Sequence, residues 1–471
     1  MIEKNQSQFE QIDSYKFIEP TASDDKSHYW LNVYGANCFG KGAKNLDKTK
    51  FGEYPFKSDL DKLSYNDRVN WINNHHSNII SLNPDFWTKA DEPLLFLAFC
   101  FEYRKINIFS LSYKTCLPIQ LDATCNGLQH LSTMSANQNL AKLVNLLPNT
   151  EDQTPFDLYS VALDEINKKI KNIIDKGSSY KNLKYLKLDR AIVKRSIMTI
   201  PYNVTTHGVV DHLKEFFYKE YINEEYLYIP KNNKHGTKYI NGKDLFKLAK
   251  IIHDTLYETH PELEQVVSYF KDMVDLMTKL ELPIVWITPA GLKIKQKYAK
   301  KQSSRIRSGS FKGASYNIVI PTDEIDKISQ QGAFMPNLIH SMDGSTITLL
   351  VKKLRALGIN NLYTIHDCFA TTANNITIIN ELVRESFCEI YANEQFLFDL
   401  HRFFIEYISG NFNILYNNEL LGKDNISLDN AIEGGFYVYY SGKKFPIPKL
   451  PKTGNFTNLK NNIEKAIYLI N

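Results

Sequence analysis

Two aspartates far apart in the chain, each at the end of a short β-rich run, set the strongest constraint on how this sequence can fold. Asp122 stands in PIQLDATCNGLQH and Asp367 in LYTIHDCFATT. A strand can carry each carboxylate to the edge of a sheet, where a hard cation and triphosphate oxygens collect. Two magnesium ions held about 4 Å apart stabilise both the attacking and the leaving oxygen of an in-line phosphoryl displacement, and a single Asp bridges both poorly. Either residue alone reads as a turn or cap residue. The pair, with a cationic helix between its members, reads as a nucleotidyl-transfer centre.

That helix is RAIVKRSIMTIPYN. Arg190 and Lys194 are four apart and Met198 follows after four more, so one face presents two cations and then an apolar patch. The pattern suits a triphosphate clamp with a base platform beyond it, although a lone helix of this kind is more often a solvated cationic face with a Tyr packed at its end. Pro201 lacks an amide donor and clashes with the preceding turn, which ends or kinks the helix where Tyr202 stands. The Tyr202 hydroxyl is then free to reach a sugar. His366 and Asp367 fit a tight hairpin turn, because both tolerate positive φ better than β-branched residues do.

Three further segments are YWLNVYGANCFG at Tyr29 to Gly40, FLAFCFEY at Phe96 to Tyr103 and AFMPNLIHSMDGS at Ala333 to Ser345. With the motifs above, they make the chain resemble the phage-type single-subunit DNA-directed RNA polymerases, a class that includes mitochondrial and linear-plasmid enzymes. The resemblance runs from about Tyr29 to near the C-terminus. It implies an α/β (α+β) right-hand polymerase fold with a palm sheet and a largely helical fingers subdomain. It also implies that Asp122 and Asp367 hold two Mg2+ ions with the Ala123 carbonyl assisting. Arg190 and Lys194 would bind the incoming triphosphate, Lys194 as a catalytic residue too. Tyr202 and His340 would test for the ribose hydroxyl, and His366 would contact the growing RNA end. DNA template, RNA product and ribonucleoside triphosphates are the implied partners, with no accessory transcription factor assigned.

Gly127 has no side chain to occupy the 2′ side of the sugar, where the matching position of related DNA polymerases looks like a blocking Glu. A hydrogen bond from Tyr202 to the substrate is worth about 1 to 1.5 kcal/mol, or roughly tenfold in selectivity. Cys368 stands where those DNA polymerases tend to have Glu, and it reads as a small buried hydrophobe. Asn203 replaces the Gly that usually follows the motif Tyr, so Pro201-Tyr202-Asn203 resembles the linear mitochondrial plasmid branch; Asn tolerates left-handed backbone. The ending KAIYLIN lacks the aromatic-small terminus of the phage enzymes. The family places a promoter-binding domain, the thumb and part of the palm before YGAN, and the thumb and N-terminal domain are expected to be absent here.

The net charge of +4 is only mildly basic, so nucleic-acid binding must come from local patches. From Gly291 to Gly313 the chain carries eight cations and no acid, opening with the alternation of a half-buried strand. The segment resembles the promoter hairpin of phage-type polymerases, with Arg305 and Arg307 as candidate DNA-binding, base-edge readers. A solvated loop that touches phosphates alone is the other reading. Six cysteines without a C-x-x-C pair argue against a zinc site and for reduced thiols, and His75 and His76 read as surface or helix residues. No apolar run reaches membrane-spanning length, so no membrane partner is expected. The N-terminal stretch is acidic, unlike a mitochondrial import sequence, and the expected location is mitochondrial with the protein organelle- or plasmid-encoded.

The expected organisation is a polar connector over 1–28, a palm part with its insertion and the first catalytic Asp over 29–140, fingers over 141–340 and a C-terminal palm over 341–471. Helical patterns dominate the fingers segment. The function expected is DNA-templated RNA synthesis by two-metal nucleotidyl transfer. The alternatives are a truncated, non-catalytic nucleic-acid-binding relic and a DNA polymerase of the same hand fold.

Overall fold

The computed structural model describes residues 15–16, 26–109, 114–177, 180–222, 224–231, 239–307, 315–391, 395–421, 426–454 and 459–471. Helix α1 (Lys26–Phe39) carries the YGAN segment and buries most of its residues. Its Gly35 faces α2 (Pro93–Phe109), the FLAFCFEY helix; a Cβ there would lie 2.5 Å from the Phe99 ring, so only glycine permits this approach. Strand β1 (Ile119–Asp122) buries Ile119 and Leu121 and leaves Asp122 exposed, the alternation of a strand with one covered face. After Cys125 at φ 80°, α3 (Asn126–Met134) starts.

The middle of the chain is mostly helical. Helix α4 (Leu158–Asp175) is capped by the Asp157 side chain and α5 (Arg190–Ile197) by that of Asp189. Each carboxylate satisfies an amide that has no partner inside its helix. Helix α6 (Thr206–Lys214) leads into an antiparallel hairpin, β2 (Phe217–Ile222) and β3 (Glu225–Pro230), inside the segment expected to be helical. The density of aromatic and β-branched residues in FYKEYI and EYLYIP is the strand signal there. Helices α7 (Gly242–Thr259), opened by an Asn241–Asp244 capping box, and α8 (Pro261–Lys279), opened by proline, follow. The basic stretch forms two hairpins: β4 (Ile284–Ile287) with β5 (Lys293–Gln296), then β6 (Ala299–Arg307) with β7 (Ser315–Ile325). Residues 308–314 between β6 and β7 lie outside the described ones, as do 178–179 and 232–238.

Helix α9 (Lys327–Ala356) is thirty residues long, capped by Asp326, with Pro336 inside it. It leads to the hairpin β8 (Tyr363–Ile365) and β9 (Cys368–Thr371), followed by α10 (Ile376–Ile390) and α11 (Phe396–Ser409). The sheet that matters most runs in the order β8-β9-β1, all antiparallel, with Cys368 opposite Asp122 and Phe369 opposite Leu121. Just beyond β1, the last residues of the chain pair with it. The Asp122 amide donates to the Asn471 carbonyl at 3.1 Å, the Asn471 amide returns the bond at 2.6 Å, and the Thr124 amide donates to Leu469 at 3.2 Å. KAIYLIN therefore supports the Asp122 strand, although its side chains depart from the phage ending. A continuous core running from Trp30 and Phe99 through Leu121, Ile197 and Phe334 to Tyr468 packs beneath these elements. Each such side chain contributes about 1.5 to 3 kcal/mol of burial. The structure is a mixed helix-and-sheet fold, and among the described residues no helix is long and apolar enough to cross a membrane.

Candidate active site

Asp122 ends β1, and Asp367 occupies the turn between β8 and β9, one residue before the partner of Asp122. The Ala123 amide donates to the Asp367 carbonyl at 3.1 Å, which ties the two acidic positions together through the backbone. Of the two turn residues, His366 alone takes positive φ, at 53°, whereas the sequence allows it for both. One left-handed residue is enough for a two-residue hairpin. Burial and then the Asp122 carboxylate hold the Asp367 carboxyl above its ordinary range, against the opposing charges of His366 and His340. Two like charges this near favour a cation between them.

A hard divalent cation fits these residues. A hard divalent cation takes about six or more oxygens, so two carboxylates would leave positions for water and phosphate oxygens; among the described residues no group of three or more His, Cys, Asp or Glu side chains is placed to hold a metal. The Ala123 carbonyl accepts from the Cys125 amide at 3.2 Å, and its second lone pair remains for a ligand. Cys368 is half-buried on the cleft wall rather than sealed in the core. Burial and a hydrogen bond with Asp122 push its thiol up to about 12, so it faces the carboxylates as a neutral group.

A cleft of about 750 Å³ joins Asp122 and Asp367 to Arg190, Lys194, Met198 and Tyr202. The two cations and Met198 thus share the face that the i, i+4 spacing describes. Arg190 is paired with Asp157, Nε to Oδ2 at 2.5 Å. Lys194 is depressed by burial and then by the charges of Lys62 and Arg190. Lys62, also on the cleft wall, is a third cation that no local pattern announces.

Helix α5 stops at Ile197, and a single 3-10 turn, Ile200–Tyr202, holds Pro201 and Tyr202. Asn203 closes it at φ 61°, the left-handed conformation for which Asn is suited. The Tyr202 ring stacks on His340 of α9, with centroids 5.2 Å apart and planes 20° from parallel. A Cβ on Gly127 would lie 2.9 Å from the Tyr202 hydroxyl and 3.2 Å from Pro201 Cβ. Gly127 therefore makes the space that Tyr202 fills. Burial and the nearby Asp367 and Asp343 push the Tyr202 phenol up to about 12, so it remains a hydrogen-bond donor at neutral pH.

Asp343, on α9, is a carboxyl that the motif reading passed over. Burial and then Asp367 push it up to about 6, against a hydrogen bond with Asn126. His366 sits exposed at the hairpin turn, its charge reaching Asp367 and Asp343 without its side chain lining the cleft. Arg305 is apart from the cleft, on β6, where it donates to Ser315 Oγ across the ribbon at 3.0 and 2.8 Å. Arg307 ends that strand, and its side chain lies outside the described residues. His75 and His76 are a helix-junction pair, His75 packed against Trp71 and Phe86.

A cleft lined by Asp122, Asp367, Arg190, Lys194 and Tyr202 brings together acids, cations and a phenol of the kinds that align a triphosphate for in-line displacement. These are the residue types that the sequence motifs lead one to expect of a nucleotidyl-transfer site. The chain belongs to the DNA-dependent RNA polymerase family, whose sequence pattern matches residues 21–433. It is 36% identical over 386 residues to a probable DNA-directed RNA polymerase of Neurospora crassa, covering 79% of this chain and 40% of that one. To T7 RNA polymerase of Escherichia phage T7 it is 24% identical over 459 residues, 87% of this chain and 48% of that one. To DNA-directed RNA polymerase 1, mitochondrial, of Arabidopsis thaliana it is 26% identical over 379 residues, 77% of this chain and 35% of that one. The phage-type resemblance carried by the motifs holds, and the chain spans less than half the length of each of these three relatives.

Proposed function

We propose that this chain synthesises RNA on a DNA template from ribonucleoside triphosphates, with Asp122, Asp367 and the Ala123 carbonyl holding two Mg2+ ions. When bound, the ions supply charge stabilisation for the attacking and leaving oxygens. The observation that carries the reading is the 3.1 Å bond from the Ala123 amide to the Asp367 carbonyl, within the cleft that also contains Arg190 and Lys194. Arg190, Lys194 and Lys62 orient the triphosphate. Lys194, nearest in character to a proton donor because its charge is destabilised, is the catalytic cation of the set. Tyr202, braced by His340 and given room by Gly127, reads the ribose hydroxyl, and His366 meets the RNA end. A DNA polymerase is disfavoured because the space beside Gly127 is open to a tyrosine hydroxyl rather than blocked by an acid.

In this reading 29–140 and 341–471 form the palm, joined by the β1–β9 pairing, and 141–340 the fingers. The β6–β7 ribbon, through Arg305 and Arg307, contacts promoter DNA. The identity to the fungal relative exceeds that to the phage enzyme, which supports the plasmid-like branch of the resemblance, and a mitochondrial relative supports an organellar location. Primer extension on an RNA/DNA scaffold in magnesium, comparing ribo- and deoxynucleotides, tests the proposal. Ribonucleotide-dependent extension is expected. Scaffold binding without extension would instead mark a non-catalytic nucleic-acid-binding protein, and a preference for deoxynucleotides a DNA polymerase.

A further inference from the structure

We infer that Asp157 is a positioning residue for nucleotide binding: it grips Arg190 side-on so that the guanidinium presents its remaining edge to the triphosphate. The inference rests on the functional reading above and adds a residue to it. Arg190 Nε donates to Asp157 Oδ2 at 2.5 Å and Nη2 donates to Oδ1 at 3.1 Å. These bonds take two of the five N–H donors of a guanidinium, both from one edge. Left over are the two on Nη1 and the second on Nη2, which together make the end-on fork that matches a phosphate bidentately.

Asp157 is itself fixed. It caps α4 by accepting from the Tyr159 amide at 3.1 Å, and it accepts from the Ser160 hydroxyl at 2.6 Å. The same first turn supplies Tyr159, whose ring lies 5.2 Å from the Arg190 guanidinium and 5.7 Å from the Lys194 ammonium. The Cys125 thiol donates to the Tyr159 hydroxyl at 2.8 Å, which anchors that ring to the segment following Asp122. The start of one helix thus sets both cations relative to the segment that follows Asp122. The pair is largely shielded, Arg190 32% and Asp157 25% exposed at the side chain, so solvent does not dilute it as it would a surface ion pair.

A carboxylate on a phosphate-binding arginine can act in two opposite ways. As a competitor it would have to be displaced by the triphosphate, and neutralising it would tighten binding. As a positioning group it removes rotamer freedom from Arg190, and neutralising it would loosen binding. The side-on geometry favours positioning, because the phosphate-facing edge stays open.

Asp157→Asn separates the two, since Asn caps a helix as well as Asp does while carrying no charge. Asp157→Ser, a second capping residue, repeats the test should the first variant fold poorly. Binding of GTP and of inorganic triphosphate to the protein on an RNA/DNA scaffold is the readout, with KM and kcat for extension alongside. Asp157→Asn is expected to weaken GTP binding about five- to tenfold, from the side-chain freedom returned to Arg190. It should raise KM by more than it lowers kcat and have no further effect on GTP binding on an Arg190→Ala background. Equal or tighter GTP binding by Asp157→Asn, or a loss that persists without Arg190, would overturn the inference. A wild-type protein that binds neither GTP nor inorganic triphosphate would remove the polymerase reading and this one with it, whereas normal wild-type binding with tight Asp157→Asn binding removes the positioning role alone.

Discussion

Replacing Gly127 by alanine should damage sugar selection without damaging the fold. Gly127 is the second residue of α3 and has ordinary helical backbone, so Ala there is favoured by up to about 1 kcal/mol on helix propensity. The new Cβ would lie 2.9 Å from the Tyr202 hydroxyl, 3.1 Å from its Cζ and 3.2 Å from Pro201 Cβ. Comfortable carbon contacts are about 3.5 to 4.0 Å, so the phenol must move by roughly 0.5 Å. The ring is not free to swing, because it stacks on His340 and sits at the end of the Pro201 turn. A shift of that size takes a hydroxyl out of the 2.7 to 3.2 Å window of a good hydrogen bond and removes about 1 kcal/mol of ribose preference, or roughly fivefold. The assay is competitive primer extension, scored as the ratio of kcat/KM for a ribonucleotide to that for its deoxy counterpart. Tyr202→Phe should lower the ratio by a similar factor. The ribose-to-deoxyribose ratio of the double variant should be no lower than that of Tyr202→Phe alone, because Phe has already lost the hydroxyl that makes the selection. Equal losses of kcat/KM for both sugars in Gly127→Ala, with the ratio intact, would refute the reasoning.

Two other outcomes follow from features away from sugar selection. His130 and His401 are buried, and burial lowers them to about 3 and about 4. Each folded-state value is depressed, so the unfolded chain binds more protons between there and the ordinary histidine range, and stability falls as pH drops below about 6.5. At pH 5 each histidine should cost about 2 kcal/mol relative to pH 8, and His130→Gln and His401→Gln should each flatten that part of a urea-midpoint titration; an unchanged slope in both would contradict the assignment. Removing residues 469–471 strips three backbone hydrogen bonds from the segment that begins at Asp122, at about 0.5 to 1.5 kcal/mol each. Extension should fall at least tenfold while most of the core stays folded by circular dichroism, and full activity of that variant would show that the terminal pairing is dispensable.

The parts of the site that sequence made legible are those set by local rules. Short β-rich runs before Asp122 and Asp367, the i, i+4 cations of α5, the stop imposed by Pro201 and the left-handed tolerance of Asn203 all describe a residue and its near neighbours. The structure then places these local pieces in one cleft. What remained hidden depends on partners distant in the chain. Asp157 looks like any helix cap, and its second partner, Arg190, is visible only once α4 and α5 pack together. Lys62 lies in a 3-10 turn with no periodicity to mark it. Asp343 falls on a helix face whose neighbours come from the β8–β9 turn and α3, and KAIYLIN carries no sign that its backbone pairs with the strand that ends at Asp122. The β2–β3 hairpin was legible in principle from its dense aromatic and β-branched residues, but it is set between helices whose pattern dominates a wider window.

The central claim, that Asp122 and Asp367 together hold the metal ions that transfer the nucleotide, is tested most directly by Asp367→Asn on a preformed RNA/DNA scaffold. Asn keeps the size of the side chain and its place in the hairpin turn, and it removes the charge. The account expects scaffold affinity within about twofold of wild type and extension in magnesium reduced by at least about a thousandfold, as expected when metal-held charge stabilisation of the transition state is lost. Extension by Asp367→Asn at a rate near that of wild type would contradict it.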